Sequence, residues 1–551
     1  MKNLFYYLLF TSLFACNTQP KQPETTIDPW VPYDETALLE ANASHESKKM
    51  QFKLIQSKNL DKNEIWKNIQ PQISNFSEQE YQNLKPLILE QDIPTLQTHI
   101  ESGKLTYEQL TQWYLYRIVK FENDSSKALN SILAVNPEAV AQARERDKNK
   151  PTDNHPIFGI PVLLKDNINT KDIKTTAGAY VLRNNMPVSH AFIAERLEEK
   201  GAIILAKTSL SEWANFMCLG CPNGYNAVGG QTLNPYDPRQ FDTGGSSSGS
   251  GASGAANYAA VTIGTETSGS ILSPSSKNSL VGLKPTVGLL SRTGIVPISS
   301  TLDTPGPMTK NVVDNAILLS ALSGEDAADP ATKDNPKNIS YWENLEEGKI
   351  EGTRFGVLTN FLEDSLYSLN IEKIKEMGGI VVEIEPTKVD LEGFGELLRA
   401  DMKIDLQHYL ENYAAKDIAQ KTVAEVVAFN RADSALAMPY GQGRFEGILE
   451  VDLDTEAHEA LKVKLNQEGK KFFDTPMSEH DLDFVLSKDN WSAGLAAAAK
   501  YPCLTVPMGY DEGEPTGLTF IAQSFEEEKL LKIGYAFEQA NKVRKMPMSY
   551  Q

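Results

Sequence analysis

Read for apolar spacing, the chain falls into a helical opening, a middle of alternating strands and helices, a long helical and acidic stretch, and a short strand–helix close. From residue 29 to about 92 the text is polar with scattered aromatics, and Ile65, Trp66, Ile69 and Ile73 recur at helical spacing. That predicts a helical extension over residues 30–92. Between 93 and 121, Leu96, Ile100, Leu110, Tyr114 and Ile118 keep close to a 3.6-residue period, and Leu105-Thr106-Tyr107-Glu108 has the form of a helix start. A further short helix is expected over 136–147.

The period then changes. Gly159-Ile-Pro-Val-Leu-Leu-Lys165-Asp166 reads as a buried strand ending in a lysine, 192–200 as an amphipathic helix, and Gly201-Ala-Ile-Ile-Leu-Ala-Lys207 as the next strand. Alternation of this kind argues for an α/β fold. The small apolar span 255–263 predicts a buried helix followed by a short strand. A helix is expected over 311–323, loops over 326–350, and helices with one strand at 380–384 up to about residue 486. Strands near 504–508 and 517–522 and a helix over 526–542 complete the pattern. Sheet elements on both sides of a helical insertion point to one large folded unit, and the stretch from about 326 to 486 is expected to shape a pocket. No internal repeat is visible.

Composition and charge narrow the partners. The 551 residues are 41% hydrophobic and 23% charged, as in ordinary globular proteins. The net charge of −20 argues against nucleic acid as the main partner, since phosphate contacts need clustered lysine and arginine. The first residues carry Lys2 and then an apolar run from Leu4 to Ala15, too short to span a bilayer and of the form of a secretory signal. Its ending, Leu13-Phe14-Ala15-Cys16, resembles a bacterial lipobox. The expected product is a lipoprotein of the cell envelope, anchored in the membrane through lipidated Cys16, with residues 1–15 removed and 16–29 as a polar tether. Cys218-Leu-Gly-Cys221 is a C-x-x-C without a partner pair, so no metal is assigned; a local disulfide and buried free thiols both remain open.

Candidate chemistry concentrates in 242–274, DTGGSSSGSGASGAANYAAVTIGTETSGSILSP. Its Gly/Ser content suits a flexible linker, but its Ala/Val/Ile centre reads as buried. Glycine beside polar residues lets backbone N–H groups approach a reacting oxygen. A phosphate-binding loop would need a lysine after the glycines, and none is there. Gly245-Ser246-Ser247-Ser248-Gly249 has the letters of a nucleophile elbow, which would need a downstream histidine; only His408, His458 and His480 follow, in charged helical or polar surroundings. The third reading is a serine hydrolase with a lysine base, for which Lys165 at a strand end is the required residue type. Holding a lysine neutral near pH 7 costs about 4–5 kcal/mol, a shift that burial and hydroxyl partners must supply. A second serine between base and nucleophile would relay the proton.

Several co-linear segments together resemble the amidase signature family: 159–167, Thr175-Thr-Ala-Gly178, 201–208, 242–274, Gly282-Leu-Lys-Pro-Thr286, Asp303-Thr-Pro-Gly-Pro-Met308 and Tyr501-Pro-Cys-Leu-Thr-Val-Pro-Met-Gly509. The match runs from about 93 to 547, within a predicted amidase domain over 93–551. The resemblance implies a large mixed β-sheet with helices on both faces, to which the N-terminal helices are added. It also implies a Ser–Ser–Lys triad with Lys165 as base, Ser246 (after a cis peptide bond) as relay and Ser270 as nucleophile. The backbone N–H groups of Thr267, Ser268, Gly269 and Ser270 would form the oxyanion hole, with no cofactor. The implied activity is hydrolysis of a carboxylic amide, of a small molecule or at a peptide C-terminus, through an acyl-serine. Where many members have Arg after Gly-Ser-Ile this chain has Leu272, and an acidic position often filled by Asp holds Glu266. The pattern looks most like that of bacterial peptide amidases. A glutaminase-type subunit of a tRNA amidotransferase, or a catalytically silent lipoprotein that binds a ligand in the same cleft, are the alternatives.

Overall fold

Short runs such as Pro161–Lys165 (PVLLK) and Ile203–Thr208 (IILAKT) are buried at every position, which a strand achieves only inside a sheet covered on both faces. In the computed structural model, which describes residues 25–551 except 153, 337 and 338, these runs build one eleven-stranded mixed sheet. The strands in chain order are β1 (Ile132–Val135), β2 (Pro161–Lys165), β3 (Ile203–Thr208), β4 (Tyr225–Asn226), β5 (Gly230–Gln231), β6 (Val261–Glu266) and β7 (Val281–Lys284). They continue as β8 (Thr304–Thr309), β9 (Arg354–Leu358), β10 (Ile380–Ile384), β11 (Phe484–Lys488), β12 (Cys503–Asp511) and β13 (Glu514–Ile521). The main sheet runs β1-β3-β2-β6-β8-β7-β12-β13-β11-β9-β10, and β4 with β5 forms a separate ribbon. The predicted signal over 1–15, Cys16 and residues 17–24 of the predicted tether lie outside the described residues. Among the described residues no helix is long and apolar enough to cross a membrane.

Helices cover both faces of the sheet. Ser248–Ala255 packs on β6 and β2, Val312–Leu322 on β8 and β7, Leu272–Lys277 on β13 and β12, and Glu527–Asn541 on β12. The sequence SGSGASGA of the first of these is poor helix-forming material, at about 1 kcal/mol per glycine relative to alanine. Its small residues serve close approach: a Cβ at Gly249 would lie 2.4 Å from the backbone N and O of Ser209. The Gly/Ser stretch is a buried helix, wholly inside the protein, and its helix begins earlier than the apolar centre alone predicts.

The extension forms helices Thr36–Asn42, Lys62–Ile73 and Glu78–Ile88, and buries Ile65, Trp66, Ile69 and Ile73 as their spacing requires. These side chains join the same apolar cluster as β2, β3 and the C-terminal helix. Seven strands escape the sequence reading: β1, β4, β5, β7, β8, β9 and β11. The short β1 edges the sheet. β9 lies inside the stretch read as helical, between β10 and β11 and parallel to both. β8 (TPGPMT) carries Pro305 and Pro307, which argue against a central strand. It is nevertheless central, paired along β6 but with only Thr309 and Met308 opposite β7. Gly306 permits this crowding, since a Cβ there would meet the Leu283 carbonyl at 2.2 Å.

Candidate active site

β2 and β6 are parallel neighbours, with Leu164 opposite Ile263, so their C-terminal ends open on the same edge of the sheet. This register brings together Lys165 and Thr265, one hundred residues apart in sequence. Lys165 is fully buried, and its Nζ lies 2.8 Å from Ser246 Oγ, 2.8 Å from Thr265 Oγ1 and 3.1 Å from the Thr265 carbonyl. Burial pushes its ammonium down to about 7, against the opposing pull of the negative charges at Asp303 and Glu266.

Ser246 follows a cis peptide bond from Gly245. Its carbonyl accepts from Ser211 N at 2.9 Å, and the next N–H, of Ser247, donates to the Ser270 carbonyl at 3.2 Å. That bond ties the two serine clusters together. Ser270 is nearly buried, in the turn between β6 and the helix Leu272–Lys277. The turn is held by Glu266, whose carboxylate accepts from Ile271 N at 2.7 Å and Leu272 N at 3.0 Å. The other oxygen of Glu266 is buried without a partner, beside the position where Leu272 replaces the family's common arginine. Gly269 has φ +88°, which a glycine adopts freely. Among the described residues the N–H groups of Ser268, Gly269 and Ser270 have no protein acceptor. Donors left open in this way beside a serine can receive an oxyanion.

The elbow reading does not survive this geometry. Ser247 Oγ donates to the Thr265 carbonyl at 3.1 Å and accepts from Thr265 N at 3.2 Å, so it is spent on the backbone. None of the later histidines reaches it: His458 is bonded to Asp401 at 2.6 Å, His408 contacts Asn412, and His480 ends a long helix. Cys218 and Cys221, left open by the sequence, are joined in a disulfide, and Cys503 is a buried thiol. Among the described residues no cluster of His, Cys, Asp or Glu could hold a metal ion.

Several further residues of the site lie in the family-like segments but were given no role by the sequence. Asn167 Nδ2 donates to Thr265 Oγ1 at 2.9 Å. Asp303 accepts from Thr267 Oγ1 and from the N–H groups of Ile298 and Ser299. A second buried lysine, Lys207 at the end of β3, donates to the Ile168 carbonyl and Thr175 Oγ1, both at 2.6 Å, and faces Asp166 at 3.4 Å. Burial pushes this lysine down to about 8 and the Asp166 carboxyl up. The parallel register of β2 and β6 is the one signal that could have pointed to Thr265. A cavity of about 210 Å³ adjoins the site, with Asn167, Thr265, Thr267, Asp303, Asp405 and Tyr413 among its walls. Of the stretch from 326 to 486, only residues 328–330, Asp405, His408, Tyr409 and Tyr413 line it.

The family model described as Amidase matches residues 109–439. A probable amidase of Arabidopsis thaliana is 37% identical over 478 residues, covering 84% of this chain and 92% of that protein. Among solved structures, an amidase family protein from Bacillus anthracis aligns with TM-score 0.84 and 34% identity, over 90% of this chain and 99% of that one. The native peptide amidase from Stenotrophomonas maltophilia aligns with TM-score 0.77 and 35% identity, over 83% of this chain and 98% of its own.

Proposed function

The chain belongs to the amidase signature family, whose members hydrolyse the C–N bond of amides, and from that premise we propose that it cleaves C-terminal amides of peptides or related small amides through an acyl-Ser270 intermediate. The observation that carries the proposal is the contact of buried Lys165 Nζ with Ser246 Oγ at 2.8 Å. A lysine held down to about 7 is neutral in a large fraction at neutral pH and has a lone pair to offer.

In the proposed cycle Lys165 takes the Ser246 proton while Ser246 takes that of Ser270. The Ser270 oxygen then attacks the amide carbon. The resulting oxyanion is received by the N–H groups of the turn formed by Thr267, Ser268, Gly269 and Ser270. Ser246 passes a proton to the leaving nitrogen and is reprotonated by Lys165, which becomes neutral again; the C–N bond breaks, and ammonia or an amine departs. Water, deprotonated along the same path, attacks the acyl ester, and the acid leaves as Ser270 regains its hydrogen. The open donors of Ser268, Gly269 and Ser270 support the oxyanion role.

For location, a lipid-anchored lipoprotein of the cell envelope is the reading favoured by Lys2, the apolar run to Ala15 and Cys16. The Cys218–Cys221 disulfide is in keeping with an oxidising compartment. Incorporation of a labelled fatty acid, lost in Cys16→Ala, tests the anchor. Release of ammonia from C-terminally amidated peptides, compared across wild type, Ser270→Ala, Ser246→Ala and Lys165→Ala, tests the chemistry. Activity that survives Ser270→Ala overturns the nucleophile assignment.

A further inference from the structure

The cavity lined by Thr265 and Thr267 is also bordered by the helix Phe394–Asn412, which places Asp405, His408 and Tyr409 on its wall. Two carboxylates four residues apart on this helix, and so on one face of it, hold the loop 298–303. Asp401 accepts from Ser299 Oγ, and Asp405 accepts from Ser300 N at 2.6 Å. The cavity thus has three carboxylates on its wall, in different situations. Asp329 is paired with Arg292, whose guanidinium also donates to the Ser300 carbonyl. Asp303 accepts from three donors, Thr267 Oγ1 and the N–H groups of Ile298 and Ser299. Asp405 takes donors from Ser300 alone and has no ion-pair partner among the described residues. A carboxylate has room for about four hydrogen bonds, so Asp405 retains acceptor capacity.

An independent observation points the same way. Asn167, also on the wall and only 2% exposed, donates through Nδ2 to Thr265 but has Oδ1 without any partner among the described residues. A buried carbonyl oxygen with no donor is a cost that a bound N–H group relieves. Both unfilled positions are acceptors. His408, three residues further along the helix, is exposed and turned to Asn412 at 3.1 Å, and supplies Asp405 with no contact. The same cavity is also lined by Ile295, Val296, Pro297 and Ile298, an apolar surface suited to a methylene chain.

We propose that this cavity holds an alkylammonium group of the substrate against Asp405, making the enzyme selective for amides whose acyl part is cationic. The proposal rests on the amidase reading and deepens it. The ammonium can belong to a lysine-like side chain or to a free α-amine, and the two sources are separable by probe. Nα-acetyl-lysinamide carries the first, norleucinamide the second, and Nα-acetyl-norleucinamide neither.

Binding of the three probes to Ser270→Ala by calorimetry at low salt, with hydrolysis of each by wild type in parallel, tests the subsite. One cationic probe should bind about tenfold tighter than the neutral one, and identify the source. In Asp405→Asn, which keeps an oxygen for Ser300 N, the ratio should collapse to about one; Asp405→Glu should restore part of it. Equal binding of all three probes, or a preference unchanged in Asp405→Asn, overturns the proposal. Hydrolysis without charge preference sinks the subsite and leaves the amidase standing. Selective binding with no hydrolysis by wild type does the reverse.

Discussion

Lys165 Nζ meets Thr265 twice, at 2.8 Å from its hydroxyl and 3.1 Å from its carbonyl. A neutral amine has two N–H bonds, and Thr265 accepts both. The lone pair is then left for Ser246 Oγ at 2.8 Å. Asn167 donates to the same hydroxyl, which has a second lone pair to accept with. Thr265→Val, which preserves shape but removes the hydroxyl, should lower kcat about tenfold or more with little change in KM. Thr265→Ser should recover most of the loss. Steady-state kinetics on a peptide amide decide it, and an unchanged kcat in Thr265→Val would refute the orienting role.

The pH profile follows from the same lysine. Burial lowers its pKa to about 7, so the neutral, proton-accepting form grows as pH rises through that value. The kcat/KM of wild type should therefore climb with pH, level off above about 8, and stand about a hundredfold below its plateau at pH 5. An ascending limb centred near 10, where an ordinary lysine titrates, would exclude Lys165 as the base.

Glu266 fastens the turn that carries Ser270 by accepting two backbone N–H groups. Glu266→Ala leaves both buried donors open, which should cost about 1–3 kcal/mol of stability. It should also reduce kcat, because the N–H groups of the turn lose their aim. Denaturant melts paired with kinetics at a permissive temperature separate the two effects; full activity in the folded variant would count against the linkage.

Gly249 is the tightest point of the buried Gly/Ser helix, with Ser209 backbone at 2.4 Å from a would-be Cβ. Backbone cannot step aside as a flexible side chain does, so Gly249→Ala should destabilise by about 1–3 kcal/mol or more and displace Ser246 with the helix. Gly441, with nothing within 4 Å of its Cβ position, is no match as a control because its φ is +83°. Gly395 has only Arg399 Nη1 near at 3.9 Å and an ordinary φ, so Gly395→Ala should be tolerated. Thermal melts of the two variants make the comparison.

Much of the fold was legible because buried strands such as PVLLK and IILAKT announce themselves in letters. β8 was hidden by Pro305 and Pro307, whose cost to a central strand is met by a ladder that pairs fully on one side only. β9 was lost because five residues amid long helical text give a weak period. In the site, Lys165, Ser246 and Ser270 stand in glycine-framed segments that a reader can find. Thr265 and Asn167 stand in the same family-like segments, but their roles come from register and side-chain direction, which the letters do not record. Asp405 looks in sequence like any acid on an amphipathic helix; only the docking of that helix on Ser299 and Ser300 sets it apart.

The lysine and its threonine sit on strand ends deep in the sheet, and the helix bordering the cavity is a separate element secured to loop 298–303 by Asp401 and Asp405. The carboxylate of the proposed cation subsite thus comes from a helix outside the sheet, whereas Asn167 and Thr265 belong to both the proton path and the cavity wall. Replacing Asp405 on that helix would change the charge met by a substrate without altering the lysine's own hydrogen-bond partners.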